Sequence, residues 1–129
     1  MKALFLLLGL SLGISSFAAV PHTEACSQTT KVCAIYHADT PMSTTEEGRF
    51  QLFLESSDQK EVALVKADLW MQMGHHGHGS SPLKITQIAP GHFDVTKAYF
   101  VMKGTWQIRV TYEQEGTQET LIIPVTIRQ

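Results

Sequence analysis

Apolar and polar residues alternate with a period of two along most of this chain, and this pattern constrains the fold more than any other feature. Beyond the N-terminal segment, no long stretch shows the 3.6-residue period of an amphipathic helix. Alternation is typical of strands with one buried and one solvated face. The sequence therefore predicts an all-β domain. The inward-facing positions are expected to be Phe50, Leu52 and Leu54; Val65, Ala67, Leu69 and Met71; Phe100, Met102, Trp106, Ile108, Val110 and Tyr112; and Leu121, Ile123, Val125 and Ile127.

Turn-forming residues separate these stretches at 46–48, 56–58, 89–92 and 115–117. The last turn is short enough to join its two flanking strands as a hairpin. Because proline cannot donate to a ladder, Pro124 puts the final strand at a sheet edge or at a bulge. Shorter extended pieces bring the count to about seven antiparallel strands, which predicts an immunoglobulin-like sandwich. These pieces are 32–36, 83–88 and 93–96.

Residues 1–18 have the composition of a secretory signal peptide. Lys2 supplies a positive start, residues 3–14 are almost entirely apolar, and small residues precede the expected cleavage site. We expect cleavage after Ala18, with Ala19 as the alternative, and an exported protein that is periplasmic or secreted. Because the apolar run is shorter than the roughly 20 residues of a spanning helix, we expect a soluble mature protein with no membrane insertion.

The mature chain is expected to form a single domain, because about 110 residues are enough for one core and too few for two. Within it, 19–47 comprises an N-terminal lead-in and a first strand, and 48–129 carries the other strands. We expect residues 19–30 to be loosely ordered. Without Lys2 the formal net charge falls from −2 to −3. There is no basic stripe, so we expect neither nucleic acid nor an anionic membrane surface as a partner.

Two cysteines, Cys26 and Cys33, lie near the mature N-terminus. In an exported chain, a nearby even pair predicts a local disulfide. The spacing is wide for a zinc knuckle and wrong for a thioredoxin-like redox pair, so the metal and redox alternatives are weaker.

Residues 71–78 concentrate two thioethers and three imidazoles in eight positions. The two methionines would project from the same face of an extended chain, with Cα atoms about 6.5–7 Å apart, and the first histidine continues that parity. Intervening glycines let the backbone turn, so that the other histidines can fold back toward the same point. Thioether plus imidazole suits copper, with Cu(I) favoured and Cu(II) held if histidines dominate. The predicted ligands here are Met71, Met73, His75, His76 and His78.

Met102 is a further candidate ligand, provided that its strand neighbours the strand of Met71. The alternative for both residues is core packing. The histidine tract has two alternatives of its own, a solvated loop or a zinc site made of histidines alone. His92, in a Pro-Gly-His turn, and His37, near Asp39, are weaker candidates.

Catalytic motifs are missing from the sequence: it has no nucleophile elbow, no Cys–His arrangement and no phosphate loop. We therefore expect a binding protein and not an enzyme.

The order of three motifs resembles the YtkA-like family of exported domains, which overlaps with FixH-like proteins and more distantly with CopC-like copper carriers. The similarity covers about residues 48–128. The motifs are Met71-Gln72-Met73-Gly74-His75-His76-Gly77-His78, the turn Pro90-Gly91-His92-Phe93, and the segment 99–110 with its Met102-Lys103-Gly104-Thr105-Trp106 core.

The resemblance implies an immunoglobulin-like domain associated with copper handling and, in several members, with assembly of cytochrome oxidase. The ligands that it implies are Met71, Met73, His75 and Met102. This chain departs from the family pattern at Gln72, where proline is usual, and in its extra His76 and His78.

We accordingly expect a copper-binding protein that holds Cu(I) and passes it to a partner, such as an oxidase-assembly or other copper-transfer protein. Two alternatives stay open. One is a non-catalytic interaction module that docks a membrane complex, and the other is a general copper or zinc buffer.

Overall fold

The structure, a computed structural model, describes residues 23–129, so the predicted signal peptide and its cleavage site lie outside the described residues. Nine strands form in the described part: β1 Thr23–Cys26, β2 Val32–His37, β3 Gly48–Ser56, β4 Ala63–Met73, β5 His76–Gly79, β6 Lys84–Ala89, β7 His92–Ala98, β8 Gly104–Gln114 and β9 Thr117–Ile127. Between residues 23 and 129 there is no helix long and apolar enough to cross a membrane.

The strands make two antiparallel sheets, with the orders β1-β2-β3-β7-β6 and β5-β4-β8-β9. The predicted all-β sandwich is confirmed, with nine strands within residues 23–129 instead of about seven. The two additional strands are β1 and β5, which come from segments expected to be a loose lead-in and a glycine-rich loop.

The core lies between the sheets and is built from the alternating positions. Phe50, Leu52 and Leu54 of β3 are buried, as are Trp106 and Ile108 of β8. Each of these strands therefore presents one apolar face to the other sheet, as the sequence predicts.

The alternation predicted for β4 fails at its start. A β-bulge shifts the β4–β8 register between Leu64 and Lys66, and Val65 is 46% exposed. Because the bulge inserts one extra residue, Leu64 packs against the core in place of Val65, while Leu69 remains on the inward face. The prediction that Val65 faces inward is wrong.

The end of the chain follows the prediction. Glu115 and Gly116, both with positive φ, form a two-residue turn between β8 and β9. Pro124 lies in β9, which is an edge strand of its sheet, so the missing donor leaves no gap in the centre of the sheet.

The predicted disulfide is confirmed, since Cys26 and Cys33 are bonded and directly opposite each other in β1 and β2. The turn that they close is tied to the second sheet through Glu119, which accepts from Ser27 Oγ at 2.5 Å and from Tyr112 Oη at 2.6 Å. These hydrogen bonds hold the pKa of the Glu119 carboxyl below its ordinary value.

Candidate metal site

The Met/His segment is a β-hairpin made of the end of β4 and all of β5. Its two-residue turn is Gly74-His75, and Gly74 has a φ of 59°. A positive φ at the first turn position is typical of a type II′ turn, for which glycine is preferred. The glycine therefore closes a tight hairpin and does not open a loose loop.

The hairpin register brings the methionines and two histidines together. Met73 lies opposite His76, and Met71 lies opposite His78. Directly opposed residues of an antiparallel pair share a face, with Cβ atoms about 5 Å apart. The two imidazole rings are neighbours as well, with centroids 5.9 Å apart. Two thioethers and two imidazoles thus occupy one face, which we call the donor face.

The donor face runs from the protein core to solvent. Met71 is 5% exposed and Met73 is 36% exposed. The Met71 methyl group packs directly on Gly104. The contact is so close that a Cβ on this glycine would lie only 2.7 Å from Met71 Cε. One sulfur is therefore buried at the end of the sandwich, while the other sulfur and both imidazoles are accessible.

The opposite face of the hairpin is covered by one aromatic ring. The Trp70 indole lies over Gly77, where a Cβ would be 2.6 Å from Nε1, and it approaches Gly79 more loosely. The glycines of the His76-Gly-His78-Gly sequence therefore point toward Trp70, and the histidines point away from it.

An ion pair lies against the indole. The Arg109 guanidinium carbon is 4.6 Å from the Trp70 ring centroid. Arg109 donates from Nε and Nη2 to the two carboxylate oxygens of Asp68, at 2.6 and 2.9 Å. Hydrogen bonding to Asp68 raises the pKa of Arg109 above its ordinary value, and its charged guanidinium makes a cation–π contact with the ring.

His75 and Met102, the other two predicted ligands, lie outside the strands of the described structure. His75 is in the turn, so the strand alternation that was expected to align it with the methionines ends at Met73. Met102 precedes β8 and is half-buried, and its carbonyl accepts from Trp106 Nε1 at 2.9 Å. β4 and β8 are paired, as the argument for Met102 required.

The two weaker histidine candidates lie away from the hairpin. His92 Nε2 is 3.0 Å from Gln51 Oε1, and its ring stacks on Phe53 in the other sheet. His37 is 3.0 Å from Asp39 in an exposed pair. The structure therefore brings neither of them to the donor face.

Residues 23–129 contain no group of three or more His, Cys, Asp or Glu side chains that could hold a metal ion. The three histidines of the hairpin do not make such a group by themselves. The donor face instead combines the soft thioether with the borderline imidazole, a pairing that suits copper.

The sequence profile of the YtkA-like family matches residues 28–111, which are 84 of the 129 residues and include the whole hairpin. The chain belongs to the YtkA-like family. No curated protein and no solved structure matches it.

Gln72 is the position at which this YtkA-like chain departs from the expected proline, and its amide closes the hairpin. Gln72 Oε1 accepts from Trp70 Nε1 at 3.0 Å, and Gln72 Nε2 donates to the carbonyls of Gly74 and His76 at 2.9 and 3.3 Å. The turn is thus held by side-chain hydrogen bonds from a position where the resemblance implied proline.

Sequence reasoning missed strand β5 and the supporting role of Gln72 in this YtkA-like hairpin. The signal that could have revealed them is the strict alternation of histidine and glycine over 76–79, which has the period of a strand. It was obscured because glycine weakens strands and is common in loops.

Proposed function

We propose that this YtkA-like protein is an exported copper-binding protein that holds Cu(I) at the donor face and passes it to a partner protein. The observation that carries the proposal is the β4–β5 register, which sets Met71 and Met73 opposite His78 and His76. Of the predicted ligands, we favour these four, with Met102 and His75 as outer candidates.

The donor chemistry supports Cu(I). Thioether sulfur binds soft ions without losing a proton, and imidazole completes a low-coordinate site. The cysteines are committed to a disulfide. The two cysteines lie beside the end of β3 that carries Ser56. The other end of β3, at Gly48, pairs with Ala98, and the chain after Ala98 leads to Gly104 and the donor face. The disulfide and the proposed site are therefore at opposite ends of the sandwich.

An oxidising compartment agrees with these features. Disulfides persist outside the cytoplasm, where a methionine site avoids the free thiols that would be oxidised there. We propose a periplasmic or secreted location, and among possible partners an oxidase-assembly factor, which is the association that the family resemblance implies.

The exposure gradient of the donor face supports transfer by ligand exchange. Met73, His76 and His78 are accessible, whereas Met71 is buried. A donor group from a partner could displace the accessible ligands one at a time while the buried sulfur still holds the ion. The acceptor would then receive Cu(I) without its release into solution.

The test is titration of the mature protein with Cu(I) against a coloured chelator, with ascorbate as reductant. We expect one tight site in the wild type. The double variant His76→Ala/His78→Ala should bind at least roughly tenfold more weakly. His92→Ala is the matched control, because it removes an imidazole from the other sheet, and it should bind like the wild type.

Two results would contradict the proposal. If the wild type has no tight Cu(I) site, the proposal has no basis. If the double variant and His92→Ala lose the same amount of Cu(I) affinity, the donor-face histidines contribute no more to binding than a histidine elsewhere in the protein. Retention of Zn(II) in competition with Cu(I), with no effect of replacing the methionines, would favour the general buffer instead.

A further inference from the structure

The face of the hairpin opposite the donors carries a continuous set of contacts, which we call the outer brace. It comprises the Asp68–Arg109 ion pair, the Trp70 indole stacked on Arg109, and the Gln72 amide that joins Trp70 to the turn. We propose that Trp70, held in this brace, is a positioning residue that fixes β5 so that its histidines meet the methionines. This inference rests on the proposed function.

Strand β5 has little to hold it in place by itself. It is four residues long, it lies at the edge of its sheet, and two of its residues are glycines. Glycine loses more conformational freedom than any other residue when it becomes ordered, and an isolated pair of strands is marginal in water. A contact from outside the strand is therefore needed to keep the histidines in register.

The Trp70 ring supplies that contact over Gly77. The indole lies so close to this glycine that no other side chain fits between them, since a Cβ at position 77 would be 2.5 Å from Cε2 and 2.6 Å from Nε1. The ring therefore packs directly on the backbone of β5. Arg109 stacks on the same ring and is itself paired with Asp68, so the ring contacts both β5 and a charged pair of β4 and β8.

The brace residues of β4 point to the face opposite the four donor side chains, because adjacent residues of a strand alternate between the two faces. The brace acts through the backbone of β5 and through the carbonyls of Gly74 and His76, which Gln72 binds. Copper affinity should therefore depend on residues that do not contact the ion, as metal sites commonly depend on the groups that orient their ligands.

Two glycine-to-alanine changes in the same strand separate positioning from general effects. In Gly77→Ala, the new methyl group would overlap the Trp70 indole, so the indole must move. Gly79→Ala is the matched control, because its nearest contact would be an ordinary 3.8 Å to Trp70 Cε3. Neither glycine has a positive φ, so backbone strain does not distinguish the two variants.

Hydrogen exchange of the metal-free protein, followed by mass spectrometry, is the first measurement. We expect amides of β5 to exchange roughly tenfold faster or more in Gly77→Ala than in Gly79→Ala, with no change in β8 and β9. The second measurement is the Cu(I) titration, in which Gly77→Ala should bind roughly tenfold more weakly than Gly79→Ala.

Each alternative result is decisive. Equal exchange of the β5 amides in the two variants would overturn the claim that the outer brace orders β5. Faster exchange in Gly77→Ala with equal Cu(I) affinity would overturn its role in positioning the ligands. A wild type that does not bind Cu(I) would refute the proposed function, and with it the positioning role for copper, while the exchange result would still show whether Trp70 orders β5.

Gln72→Leu is a second variant for the case in which Gly77→Ala does not fold. Gln72 is exposed, so its replacement inserts nothing into the core, but it removes the hydrogen bonds to Trp70 and the turn. Faster exchange of β5 together with weaker Cu(I) binding would support the brace. Wild-type values for both would overturn it.

Discussion

Replacing each hairpin methionine by leucine tests whether the sulfur atoms bind copper. Leucine is similar to methionine in volume and in apolar character but has no sulfur. Met71 is buried at 5% exposure, and Met73 is at the rim with 36%. The two variants therefore probe the inner and the outer sulfur with little change to packing.

The expected stability costs are small enough to keep both variants folded. A volume-conserving swap in a core usually costs less than about 1.5 kcal/mol, which is the upper bound for Met71→Leu. Met73→Leu should be within about 0.5 kcal/mol of the wild type, because surface changes rarely exceed that. A domain of this size is typically stable by about 5–15 kcal/mol, so neither variant should unfold.

The assay pairs thermal unfolding with Cu(I) competition. We expect each leucine variant to bind Cu(I) roughly tenfold more weakly, a loss of about 1.4 kcal/mol in binding. Met42→Leu is the matched control, because Met42 is 9% exposed and packs on Gly48 of the other sheet. If both hairpin variants bound Cu(I) as tightly as Met42→Leu, the methionines would be ordinary packing residues and the reasoning from the donor face would fail.

Three further predictions concern the scaffold. Replacing Cys26 and Cys33 by serine should lower the free energy of unfolding by about 2.5 kcal/mol, as expected for a disulfide that spans 7 residues, and should leave Cu(I) affinity unchanged. Tyr112→Phe should cost about 1.5–3 kcal/mol at pH 7 in denaturant unfolding, because it removes a hydrogen bond to a carboxylate. The pKa of Glu119 is lowered in the folded protein. The ionised Glu119 carboxylate therefore stabilises the folded state at pH values above its ordinary pKa, and this stabilisation is lost as pH falls through the folded pKa. The cost of Tyr112→Phe in free energy of unfolding should therefore shrink in acid. Gly104→Ala should lower the melting temperature and weaken Cu(I) binding, because Gly104 has a φ of 133° and the new methyl group would push against the buried hairpin methionine.

The fold could be predicted from the sequence wherever one face of a strand is apolar and the other polar. β3 and β9 follow this rule except at Phe53 and Ile122, which are apolar residues on the outer faces, and their inward residues were correctly identified. The start of β4 could not be predicted, because Leu64 and Val65 are both apolar and the pattern does not tell which of them faces inward. The bulge between Leu64 and Lys66 decides the matter through pairing with β8, which is a tertiary effect.

The candidate site could be predicted in composition but not in arrangement, and the reason lies in how the hairpin register is specified. A slip of one residue would turn the histidines of β5 toward the Trp70 indole and the glycines toward the methionines. Only glycine fits beneath the indole at position 77, so the ring excludes that register. The same contact that makes glycine necessary on one face therefore directs His76 and His78 to the other, opposite Met73 and Met71. This constraint joins β4, β5 and Arg109 of β8, and the spacing of residues 71–78 alone does not contain it.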